Sequence, residues 1–241
     1  MSSRPSHRRS QRLTAVLLLA GAVLGAVGNP LHPHVAASMT SKLQAIAGND
    51  AWVAIHLTIL VAILLVIWGL VGLADLLDDG PGSPLARIGT AAALVGGALA
   101  AVSTSIDGFA MKPLALDWAS ASAPDAASVL GLAGAVQAVG FAIWSMAILV
   151  LFGTAFACFG GALVDSGGFP RWLGWVAIAS GVGSAGAALL QIANTGEVQA
   201  AETLFFASSL LVTLWAFAVG VLVWRAQPAP DPRPAGALPA N

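Results

Sequence analysis

Tyrosine is absent from this chain, cysteine occurs once, and only 9% of the residues carry a charge. A typical soluble domain is about a quarter charged, so a water-solvated globule is excluded at the outset. The lone thiol, Cys158, can form no internal disulfide, and no C-x-x-C pair is present to bind a metal or exchange electrons. Net charge is −1, which leaves no basic field for nucleic acid. There is no G-x-x-x-x-G-K-S/T phosphate loop, no H-E-x-x-H zinc helix and no G-x-S-x-G elbow. No ladder of arginines suggests a voltage sensor, and no apolar run is broken by proline as in discontinuous transporter helices.

What the chain has instead is hydrophobic length: 58% of its residues are apolar. Residues 51–74 contain no charge, and only His56 and Thr58 among them are clearly polar. As a helix rising ~1.5 Å per residue, this run covers the ~30 Å hydrocarbon layer of a bilayer. Abundant glycine and alanine suit helices that pack closely in lipid. The pattern predicts an all-α, polytopic membrane helix bundle of six transmembrane helices, at about 13–28, 51–76, 86–106, 130–164, 172–192 and 203–224. Residues 1–12 form a basic N-terminal segment, and the Pro/Ala-rich tail 226–241 is expected to be disordered.

Three segments admit alternatives. The apolar run after the basic N-terminus reads as a retained first span, with Gly21 and Gly25 spaced for helix contact, against a cleaved signal peptide ending near Gly28. Residues 35–47 are expected to form a short amphipathic helix at the interface. The run 126–164 is longer than a bilayer needs, but residues 141–159 hold no turn signal, so one long helix is expected rather than two. Residues 107–125 read as a loop too polar to cross.

Six spans put both termini on one side. With that side cytoplasmic, Arg4, Arg8, Arg9, Arg12, Arg87, Arg171, Arg225 and Arg233 lie inside, and only Lys42 and Lys112 outside. The bias predicts cytoplasmic termini in the cell membrane. Trp172, Trp175 and Trp224 then fall at the inner interface and Trp52 at the outer.

This topology sends the polar residues to one end. His56 enters near the outer end of the second span, Asp107 closes the third, Gln137 lies in the outer part of the fourth, and Gln191 and Asn194 end the fifth. Polar groups at membrane depth cost several kcal/mol if unsatisfied, so they should turn inward and meet. The expectation is an outward-facing polar pocket with His56, Asp107, Gln137 and Gln191 as ligand-binding residues. Against this, His56 can simply bond a neighbouring helix or reach the headgroups, Asp107 can open a turn before Gly108, and Gln137 and Gln191 can link helices. His32 and His34 flank Pro33 in an extended stretch that points both imidazoles the same way, a candidate metal chelate; the competing reading leaves them solvated. Lys112 and Glu202 read as interfacial charges, and Ala179, Gly183 and Ala187 as a packing stripe.

The segment 166–181, SGGFPRWLGWVAIASG, follows the long fourth span and opens the fifth. Its G-x-P-x-W-L-G loop, Gly168 to Gly174, resembles that of small six-span bacterial membrane proteins in which a similar loop joins those spans. The resemblance covers roughly residues 13–225. It implies an integral membrane protein without an assigned reaction, and it supplies no catalytic residues.

The functional expectation is a non-enzymatic membrane protein whose pocket binds, passes or senses a small molecule or proton, or an accessory subunit. An imidazole facing a carboxylate there could change charge between about pH 5 and 8. No resident cofactor is predicted. The alternatives are a haem- or metal-dependent oxidoreductase using His56 with His32 or His34, and a structural scaffold. The bilayer is the one expected partner; oligomeric state is left open.

Overall fold

The computed structural model describes residues 4–32, 38–194 and 198–226. Among these residues the chain is helical, with no strand. Seven helices follow in order: α1 (Arg4–Leu31), α2 (Met39–Ala47), α3 (Trp52–Leu77), α4 (Ser83–Ser120), α5 (Ala123–Ser166), α6 (Arg171–Asn194) and α7 (Gln199–Arg225). All but α2 are long and apolar enough to cross a membrane. The six long helices form a ring in chain order, α1 against α3, then α4, α5, α6 and α7, with α7 packing back on α1. Large apolar side chains such as Leu13, Trp68, Leu94, Val182 and Leu214 are more than half exposed around it. Exposed apolar surface on this scale marks lipid contact, and the chain is an integral membrane protein.

Small residues let these helices close up. A Cβ placed on Gly160 of α5 would stand 2.6 Å from the Gly174 carbonyl oxygen of α6, and one on Gly174 2.6 Å from that of Gly160. Two turns further along, a Cβ on Gly181 would meet the Gly153 carbonyl oxygen at 2.7 Å. Backbones this close gain dispersion contacts, the main attraction left between helices in lipid. The expected stripe Ala179, Gly183 and Ala187 is only partly the packing face. Ala187 is buried and Gly183 meets Ser208 of α7, but Ala179 is exposed. Small residues occur all round α6, so spacing alone does not select the face that meets α5.

The long run of the fourth span is one continuous helix, α5, with a π-helical stretch at Ile148–Ala155. It ends where Gly167 adopts φ 65°, the left-handed conformation that glycine takes without a Cβ penalty. The turn between α3 and α4 is tied by Asp78, whose Oδ1 accepts from Arg87 Nη2 at 2.6 Å and from Ser83 Oγ at 3.0 Å. Those bonds, from Arg87 first, hold the exposed Asp78 carboxyl below the usual carboxylate range.

The segment expected to be a loop after residue 106 is helical instead. After a π-helical stretch at Ile106–Ala110, α4 continues through Met111–Ser120. Met111, Leu114, Ala115 and Trp118 recur at helical spacing, and pack with Leu43 and Ile46 of α2, Trp52 of α3 and Ala133 of α5 in a second apolar cluster. Pro113 falls in the first turn after the π stretch, where the bonding register is already interrupted and its missing N–H costs least. Polar composition was outweighed by one buried face.

Lys112, expected at the interface, ties this extension to α2. Its ammonium donates to the carbonyls of Ile46 at 2.9 Å, Ala47 at 3.1 Å and Asn49 at 3.0 Å, at and just past the C-terminal end of α2. Hydrogen bonds from a charged donor contribute about 1.5–3 kcal/mol. Lys112→Met should therefore lower stability by about 2 kcal/mol, read by thermal unfolding in detergent, with faster amide exchange confined to residues 39–49.

Candidate functional site

The site lies at the end of the bundle where α1 finishes and α3 and α7 begin. His56 is set there by the first turns of α3, and its side chain is 3% exposed. Trp52, one turn earlier, is fully buried rather than interfacial as expected. Its indole N–H donates to the Asp107 carbonyl at 2.9 Å, and its ring lies 4.5 Å from that of His56. The π stretch explains the partner: i→i+5 bonding alters which carbonyls the helix itself satisfies, and the indole takes one of them. Gly108 follows, and a Cβ there would overlap the His56 side chain. Glycine at this point lets α4 press directly on the imidazole.

Three groups converge. His56 Nε2 is 3.0 Å from Asp107 Oδ2 and 3.2 Å from His32 Nε2, and His32 Nε2 is 3.6 Å from Asp107 Oδ2. Lys42, from α2, brings Nζ to 3.5 Å from Asp107 Oδ1. That oxygen is buried and has no hydrogen-bond partner among the described residues. His56 Nδ1 faces the Trp52 carbonyl at 2.8 Å. A carbonyl only accepts, so Nδ1 carries the proton, and Nε2 of a neutral ring presents a lone pair. That lone pair points at an acceptor-only carboxylate and at a second imidazole nitrogen. Lys42 supplies the positive charge that faces this carboxylate.

These groups border a partly open cavity of about 340 Å³ to which every helix contributes. Asn29, His32, Lys42, His56, Asp107, Gln137, Gln191 and Glu202 supply its polar wall, and Trp144, Phe205 and Phe206 its apolar one. A smaller apolar chamber of about 90 Å³ adjoins it, sharing Asn29, Ile59, Trp144, Phe205 and Ser209. Of the deeper polar groups, the Ser184 hydroxyl has no partner among the described residues, and two others are bonded within the bundle. Gln191 Oε1 accepts from Ser145 Oγ at 3.0 Å, and Ser103 Oγ donates to the Gly140 carbonyl at 3.0 Å.

Of the residues singled out in the sequence, His56 and Asp107 are in contact, and Gln137 and Gln191 line the same cavity. Asn194 instead donates to the Leu190 carbonyl within α6. The His32–His34 chelate is not described as a pair: His34 lies outside the described residues, and His32 instead meets His56 and Asp107. Glu202 lines the cavity, contrary to its reading as a mere interfacial charge. Lys42 escaped the sequence reading, although it is the only cation between the first two spans and lies beside Leu43 and Ile46, the buried face of α2. Comparisons with protein-family models, curated proteins and solved structures returned no match.

Proposed function

We propose that the chain is a non-enzymatic protein of the plasma membrane that admits a small polar or cationic ligand to the cavity from the non-cytoplasmic side. The observation that carries this reading is the gathering of His32, Lys42, His56 and Asp107 on the wall of that cavity, with one buried carboxylate oxygen facing Lys42 but accepting no hydrogen bond among the described residues. Unsatisfied polar atoms at such depth cost free energy in every copy of the protein, and a bound ligand offsets that cost. The arginine distribution favours cytoplasmic termini, which turns the cavity end outward. Gln137 and Gln191 are suited to orienting a polar ligand, and Trp144 and Phe205 to covering its apolar part.

The test is access. In a Cys158→Ser background, Gln137→Cys should react with a membrane-impermeant maleimide in intact spheroplasts. Ser166→Cys, at the C-terminal end of α5, should react only after permeabilisation. The opposite pattern, or a Gln137→Cys thiol that reacts from neither side, overturns the reading.

A further inference from the structure

We propose that His32, His56 and Asp107 form a binding site for one divalent first-row transition-metal ion of the zinc class. The proposal rests on the cavity reading above and names its ligand. Three donor atoms, His32 Nε2, His56 Nε2 and Asp107 Oδ2, form a triangle with edges of 3.0, 3.2 and 3.6 Å. Zinc bonds of about 2.0–2.1 Å in tetrahedral geometry require donor separations of about 3.3 Å. The triangle brackets that value without rearrangement. A proton can lie along one edge only, whereas a metal ion stands over all three.

The surroundings agree. His56 Nδ1 donates to the Trp52 carbonyl at 2.8 Å, the outer-shell bond that fixes the tautomer and aims the opposite nitrogen at a metal. Two imidazoles and one carboxylate favour zinc, copper, nickel or iron over calcium and magnesium, which prefer oxygen. The two histidine rings touch edge to face at 4.8 Å, which leaves no slot for a porphyrin between them and suits a bare ion. The donors come from the end of α1, from α3 and from α4. All three residues border the cavity, so a fourth position stays open to water or to a ligand atom. Lys42 lies 3.5 Å from the other carboxylate oxygen, so Asp107 keeps its charge partner while Oδ2 faces the histidines.

The experiment uses the full chain, purified in detergent without a polyhistidine tag, stripped with chelator and titrated with cobalt(II) chloride. One equivalent should bind per chain with the intense visible bands of a four-coordinate ion, and zinc should displace it. Thermal unfolding should rise by about 5 °C at hundredfold excess over Kd. His32→Gln and Asp107→Asn should each weaken binding at least about 100-fold, while their unfolding temperatures without metal stay near that of the parent. Cys158→Ser should bind as the parent does, which separates this site from the lone thiol. Absence of a one-equivalent cobalt complex, or affinity unchanged in His32→Gln and Asp107→Asn, overturns the proposal. Loss of the metal site with Gln137→Cys still labelled from outside would leave the cavity reading intact. Failure of labelling would remove that reading whatever cobalt does.

Discussion

Gly174→Leu should prevent α6 from docking on α5, with a large loss of stability. Even a single Cβ at this position would stand 2.6 Å from the Gly160 carbonyl oxygen and 3.0 Å from the Val164 backbone nitrogen. Both obstacles are backbone, so no rotamer change can relieve them. The helices must separate, and the next residue back makes that expensive. The Leu173 carbonyl accepts from the buried Trp215 indole at 3.0 Å, a bond that links α6 to α7 and would be strained by the same displacement. Overpacking commonly costs about 1–3 kcal/mol, and an orphaned buried donor adds about 1–3 kcal/mol more. We expect a loss above about 3 kcal/mol, seen as a large fall in unfolding temperature or as aggregation on size exclusion. Gly131→Leu is the matched control. Nothing lies within 4 Å of a Cβ there, and the exposed helical site should accept leucine at no cost. Equal stability of the two variants would mean that α5 and α6 do not meet at Gly160 and Gly174.

The contrast between these glycines shows what a sequence conveys in lipid. The membrane class and the six-span count follow from hydrophobic length, because hydrocarbon imposes one dimension on every span. Helix faces do not follow. Gly131 and Gly174 look alike in sequence, and in a bundle where lipid and core are both apolar no polarity pattern tells inside from outside. That is why Ala179 was assigned to the wrong face. Polar residues are read more easily, since burial forces them to meet. That reasoning alone expected His56, Asp107, Gln137 and Gln191 to gather, and the four border one cavity. Trp52 was misplaced because an indole suits both an interface and a buried bond, and only the π stretch around Asp107 creates the carbonyl that draws it inward. The partners of Lys42 and Lys112 were not foreseen for a related reason. A lysine in a short amphipathic segment is ordinarily solvated, and here its partner depends on α4 continuing as a helix past residue 110.

Replacing Asp107 should give two different outcomes, depending on what takes the place of the carboxylate. In Asp107→Ala, His56 Nε2 loses its partner while Nδ1 still donates to the Trp52 carbonyl, and Lys42 loses the anion it faces. Breaking a buried ion pair from one side costs about 3–5 kcal/mol. Asp107 retains 25% side-chain exposure, so about 2–3 kcal/mol is the expected fall. In Asp107→Asn the shape survives and the chemistry reverses. The introduced amide can donate N–H to the lone pair on His56 Nε2, making a hydrogen bond that needs neither a proton nor a metal. This variant should unfold within about 1 kcal/mol of the parent. The wild-type carboxylate thus offers an anionic oxygen to a cation, whereas the amide meets His56 with a neutral bond. A purely architectural His56–Asp107 contact predicts that Asp107→Asn changes nothing else. A cation site predicts a folded protein that has lost its affinity for cobalt(II) and zinc. Unfolding curves and metal titrations on the same two variants separate these cases, and equal destabilisation by alanine and asparagine would show that the His56 tautomer assigned from the Trp52 carbonyl is wrong.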